Sequence, residues 1–195
     1  MNNSKCHLML MASGTGSNVQ ALIDAVNHGQ IQAEIVGVIS DQPQAPVIQK
    51  AQAAGIDSFI SQPKDYISRK EWEQSILDFC QARSSDLILL AGFMRILSAD
   101  FLRHYPQQVV NIHPSLLPAF PGRQGIKDAY DYGVKITGVT IHYVDDGIDT
   151  GPIIAQESLK IDPNWDLAQL ESHIHQIEHQ LYPATIEKLI QEKLI

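Results

Sequence analysis

An amide and an imidazole, Asn111 and His113, stand two residues apart in the apolar run Val-Val-Asn-Ile-His, which ends in the stretch Pro-Ser-Leu-Leu-Pro-Ala-Phe-Pro-Gly. In extended chain both side chains leave the same face of a strand. An imidazole exchanges protons near neutral pH, and an amide both donates and accepts hydrogen bonds. Pro114, Pro118 and Pro121 cannot donate to a sheet ladder. They hold the following chain as a stiff loop at a strand end, where open α/β sheets bind ligands. The alternative is that the pair merely satisfies backbone groups of a turn. Leu117-Pro118 is a candidate cis peptide, because X-Pro bonds have only a small trans preference.

Four other segments carry residues suited to chemistry. Ser13-Gly14-Thr15-Gly16-Ser17-Asn18 ends a strand and opens a helix, so small residues let backbone N–H groups approach an anion at the positive helix end. A phosphate site and a dinucleotide turn both fit. Asp41 would serve the second reading, although Val19 stands where its third glycine belongs. Phe93, Met94, Ile96 and Leu97 follow the fourth strand and could wall a flat aromatic ligand or be ordinary core, with Arg95 a surface charge. Val144 to Gly151 holds Asp145, Asp146 and Asp149 with two glycines; it reads as a solvated acidic turn or, without the spacing of a calcium loop, a poor cation site. His175, Glu178 and His179 match the H-x-x-E-H pattern of inverted zinc peptidases, but no third ligand follows except on the same helix, so a polar helix face competes. His142 shares a strand face with Thr140 and could reach the crevice, but it reads first as a hydrogen-bonded core histidine, and Ser68 with Glu71 reads as a capping box.

The elements that must position these residues alternate. Apolar runs at 7–12, 34–40, 57–60, 86–91 and 109–112 predict buried strands, and amphipathic stretches at 17–28, 45–54, 68–81 and 98–104 predict helices between them. That rhythm is a doubly wound, mostly parallel α/β sheet. After a helix near 126–132, two strands at 136–144 and 152–161 with no helix between them suggest antiparallel edge strands. A long C-terminal helix over 166–192 should break or kink at Pro183. The length of 195 residues suits one well-buried domain over 1–195. The net charge of −8 disfavours nucleic acid as a partner, and no run is long and apolar enough to cross a membrane. Without a signal-peptide pattern, and with Cys6 and Cys80 isolated, the chain is expected in the cytoplasm.

The stretch Asn-Ile-His-Pro-Ser-Leu-Leu-Pro-x-Phe-Pro-Gly resembles the signature of the folate-dependent formyltransferases. Ser13 to Asn18, Ala91 to Leu97, Asp149-Thr150-Gly151-Pro152, and Glu178-His179 with Tyr182-Pro183 match the same family in the same order. Arg123-Gln124-Gly125 departs from it: many members carry a Leu and a His there, so no role for a histidine transfers. The resemblance implies a Rossmann-like formyltransferase fold and transfer of a formyl group from 10-formyltetrahydrofolate to the amine of 5-phosphoribosylglycinamide, in de novo purine biosynthesis. It implies Asn111, His113 and Asp149 as catalytic residues, the carboxylate pairing with the imidazole. Gly16, Ser17 and Asn18, with His175, Gln176, Ile177 and Glu178, would bind that substrate. Arg69, Met94, Arg95, Ile96, Leu97, and the loop residues Val144, Asp145, Asp146, Gly147 and Ile148 would bind the folate. No metal is implied, the partners are small molecules, and a homodimer is compatible with it. A non-catalytic dinucleotide-binding module is the rival from another class.

Overall fold

The computed structural model describes residues 5–192. Seven strands form one sheet: β1 (Cys6–Met11), β2 (Ala33–Ser40), β3 (Ser58–Ile60), β4 (Leu87–Leu90), β5 (Val109–His113), β6 (Ile136–Tyr143) and β7 (Ile153–Lys160). Their order is β3-β2-β1-β4-β5-β6-β7, parallel through β5 and antiparallel for the last two, as the missing helix between 144 and 152 foretold. Among the described residues six α-helices accompany them: α1 (Ser17–Asn27), α2 (Pro46–Ala53), α3 (Arg69–Ala82), α4 (Ala99–Leu102), α5 (Gly125–Tyr132) and α6 (Leu167–Gln191).

Alternation along the strands builds two cores, one on each face of the sheet. Leu8, Leu10, Leu87, Leu89, Val110 and Ile112 pack under α1, α2 and α6, while Met9, Met11, Ile88, Leu90 and Val109 pack under α3 and α4. After β1 the chain moves to one side through β2 and β3, then returns to place β4 on β1's other side. Between β1 and β4 lies the switch point at which open α/β sheets form their ligand crevice.

Two expectations are corrected. The helix expected over 98–104 is a single turn, Ala99–Leu102, capped by Ser98, whose hydroxyl accepts from the Phe101 N–H. The final helix is not broken at Pro183, which lies inside α6. Proline there removes one hydrogen bond, a cost of roughly 3 kcal/mol. Packing on both sides of it offsets that cost, since Ile174, Tyr182, Ile186 and Leu189 all enter the same core. The Tyr182 hydroxyl also lies 3.2 Å from the Leu90 carbonyl and 3.0 Å from that of Val110, tying α6 to the ends of β4 and β5. Cys6 and Cys80 are free thiols, and burial pushes both up to about 12. Among the described residues no helix is long and apolar enough to cross a membrane.

Candidate active site

Asn111 and His113 leave the sheet on the same face as Val109, opposite the core residues Val110 and Ile112. Antiparallel pairing sets His142 of β6 directly across from Asn111. The His142 Nδ1 lies 2.9 Å from the Tyr143 carbonyl and must donate to it, so in the neutral ring Nε2 accepts from the Asn111 amide at 3.2 Å. The His113 Nε2 likewise donates to the Phe120 carbonyl at 2.8 Å, which turns Nδ1 toward Asp149, 3.4 Å from Oδ2. Asp149 completes the cluster: Oδ2 accepts from the Gly122 N–H at 2.7 Å, and Oδ1 lies 3.5 Å from the Asn111 amide and 3.6 Å from His142 Nε2. Burial pushes the Asp149 carboxyl upward, but the His142 imidazole, the Gly122 N–H and the charges of the two histidines outweigh it and hold the group below the usual carboxylate range. His142 meets both readings that its sequence allows: it is buried, and it belongs to this cluster.

The loop that delivers Asp149 is built by its own residues. Asp145 Oδ1 accepts from the Gly147 N–H at 3.1 Å and the Thr150 hydroxyl at 2.7 Å. Gly151 is required because a Cβ there would stand 1.8 Å from the Tyr143 carbonyl oxygen. Asp149 itself has φ near 54°, a left-handed conformation that Asp tolerates better than most residues. Asp145 turns into the loop while Asp149 turns to the histidines, so the acidic run does not converge on a point. Among the described residues no group of three or more His, Cys, Asp or Glu side chains is placed to hold a metal ion. Val144 packs beside the α3 core, whereas Asp146 and Ile148 face solvent and Gly147 is half-buried.

The segment after β4 borders the same crevice. Phe93 and Leu97 are buried, leaving Leu97 only backbone to offer a ligand, while Met94 and Ile96 are about half exposed. Three arginines brace this segment. Arg69 donates to the Ile96 carbonyl at 2.6 Å and to Glu73 at 3.0 Å; Arg95 pairs with buried Asp41 at 2.7 Å; Arg123 donates to the Met94 carbonyl at 2.9 Å. The Ser13 hydroxyl accepts from the Met94 N–H at 2.8 Å, linking the segment to the turn after β1. Burial works to raise Asp41, yet hydrogen bonds from Ser13, Arg95 and Gln42 keep it lowered. Asp41 is thus committed to Arg95, which removes the ribose partner that the dinucleotide reading needed. Arg123, from the stretch that departs from the family pattern, was invisible as a site residue because its acceptor is a backbone carbonyl 29 positions away.

The turn from Ser13 to Asn18 opens α1 with Gly16 at φ 70°, and no side chain caps that first turn. A Cβ on Gly16 would meet Val47 Cγ2 at 2.6 Å. Asn18 is buried and donates to Glu178 Oε2 at 3.0 Å, bringing α6 to the turn into α1. His175 Nδ1 reaches the same oxygen at 2.9 Å; Gln176 is exposed, and Ile177 packs partly against the core. Glu178 therefore joins His175 and Asn18, which leaves the peptidase motif without the geometry of a metal site. The Ser68 hydroxyl caps α3 as expected, whereas Glu71 bonds the Ile67 N–H in place of that of Ser68.

The formyl transferase family profile matches residues 6–186. The chain is 42% identical over 181 residues to the phosphoribosylglycinamide formyltransferase of Bacillus subtilis (strain 168), covering 93% of each. It is also 42% identical over 192 residues to the trifunctional purine biosynthetic protein adenosine-3 of Drosophila melanogaster, spanning 14% of that longer protein. Among solved structures, phosphoribosylglycinamide formyltransferase from Bacillus halodurans superposes with a TM-score of 0.92 at 42% identity, over 94% of this chain and 95% of the other. Glycinamide ribonucleotide transformylase 1 from Geobacillus kaustophilus gives 0.92 at 45% identity, over 95% and 98%.

Proposed function

Because the chain belongs to the formyl transferase family, we propose that it moves the formyl group of 10-formyltetrahydrofolate to the amine of 5-phosphoribosylglycinamide, in de novo purine biosynthesis. The products are formylglycinamide ribonucleotide and tetrahydrofolate. One observation carries the reading: Asn111, His113 and Asp149 converge beside an uncapped helix start and an exposed apolar segment, all at the ends of neighbouring strands. The phosphate sits on the turn at Gly16, Ser17 and Asn18, and Glu178 beside it accepts from the sugar hydroxyls. The pteridine lies against Met94 to Leu97, under the loop from Val144 to Ile148.

The neutral amine attacks the formyl carbon and a carbon–nitrogen bond forms as the carbonyl becomes an oxyanion. Asn111 stabilises that charge with an amide hydrogen released from its long 3.5 Å contact with Asp149. Protonated His113 supplies the second donor when its Nε2–H leaves the Phe120 carbonyl, while Asp149, facing Nδ1, balances its charge. Collapse breaks the bond to the folate nitrogen, which takes a proton while the amine loses one. These residues need no metal for any step. The substrates are small molecules, and the protein works in the cytoplasm. Incubating purified protein with both substrates should release tetrahydrofolate; a folded sample that gives none overturns the proposal.

A further inference from the structure

Glu178 is a carboxylate at 4% exposure whose Oε2 takes two donors, Asn18 Nδ2 at 3.0 Å and His175 Nδ1 at 2.9 Å. Both bind the same oxygen. Among the described residues no protein donor reaches Oε1. The carboxylate is therefore clamped on one side and open on the other, and it hangs beside the turn at Gly16 to Asn18. We propose that His175 is a positioning residue, which acts on the ribonucleotide through Glu178 by fixing Oε2 so that Oε1 meets the sugar hydroxyls. This rests on the function proposed above and deepens it.

His175 is built for that part rather than for contact. It lies one helical turn before Glu178, so its ring drapes over the carboxylate, and half of its side chain remains in solvent. The clamp is charge-assisted when the imidazole is protonated. The Glu178 carboxylate favours that form by hydrogen bond and charge, Glu171 adds to it by charge, and partial burial opposes; the balance raises the group above the ordinary histidine range. The other charged and titratable groups around it are His179, whose ring is stacked 6.4 Å away, and Lys50, whose charge acts on His179. Burial lowers His179, so it takes up a proton less readily than His175.

A raised folded-state group is charged below its own pKa and loses the proton as pH climbs through it. The KM for phosphoribosylglycinamide should accordingly be lowest in acid-to-neutral buffer and rise above that range, with kcat and the KM for the folate donor following no such trend. His175→Ala should raise the ribonucleotide KM by about 3–10-fold and flatten its rise with pH, the loss of one charge-assisted hydrogen bond on a half-exposed side chain. His175→Gln, which can still donate to Glu178, should recover most of the affinity without the pH dependence. A double-mutant cycle with Glu178→Gln separates the outcomes, each variant being checked for an unchanged melting temperature. Positioning predicts that His175→Ala adds nothing in the Glu178→Gln background. An additive loss means that His175 touches the ligand itself and overturns the proposal. If Glu178→Gln alone leaves the ribonucleotide KM unchanged while His175→Ala raises it, the assignment of Glu178 fails, and the site reading with it.

Discussion

In the mechanism we propose, the chemistry turns on Asp149, because it touches Asn111, His113, His142 and the Gly122 amide together. Asp149→Asn keeps the shape and removes the charge. Turnover should fall by about 10²–10³-fold, with both substrate KM values near normal, in a steady-state assay. Near-normal turnover would return Asp149 to the status of a solvated turn residue, and sensitivity of the wild type to EDTA would make it a metal ligand. The same residue makes a stability prediction. Its carboxyl titrates lower in the folded than in the unfolded chain, so its stabilising contribution is fully present above about pH 4 and is lost as pH falls through the depressed value. The gap in melting temperature between wild type and the Asn variant should close in acid. Asn111 and His113 were legible because strand alternation is local. His142 was legible only as one of two readings, since what brings it into the cluster is its position opposite Asn111, and register between strands 31 residues apart is written in no short stretch of sequence.

At the scale of elements, the turn into α1 is the sharpest constraint. Gly16 combines a left-handed backbone with a Cβ site blocked by Val47. Gly16→Val should therefore shift the turn and raise the KM for the ribonucleotide about tenfold or more, each tenfold being about 1.4 kcal/mol, while the folate KM moves little. Equal losses for both substrates would place the phosphate elsewhere. The strands and most helices followed from period alone, and the antiparallel edge from the absence of a crossover helix. What periodicity misjudged was α6, where a local rule about proline lost to packing supplied by α1, α5, β6 and β7. The bracing of the segment after β4 was equally hidden. Arg69 pairs with buried Glu73 one turn along its own helix, but the bonds that brace the segment run from Arg69 and Arg123 to distant backbone carbonyls and from Arg95 to buried Asp41, which no spacing announces. Met94 and Ile96 remain free to meet a ligand because others hold their backbone.

Across the whole molecule, helices cover both faces of the sheet, and the site opens where the winding reverses. Its parts come from four strand ends and from α6, so nearly the full length of the chain is needed to assemble it. The alternation in β5 has a further consequence. Val110 and Ile112 point into the core under α6, while Asn111 and His113 point out of it, so the strand carries two independent kinds of information on a beat of two residues. A saturation scan across 109–113 should read out that beat. Ile112→Ala should cost roughly 2–4 kcal/mol of stability with kcat little changed, and Asn111→Ala should leave the melting temperature near wild type while cutting kcat by about tenfold or more. Selection for abundance and selection for turnover would then act on alternate letters of a five-residue word. The two pressures are interleaved without competing, and the strand can drift to a sturdier or looser core without rewriting its chemistry.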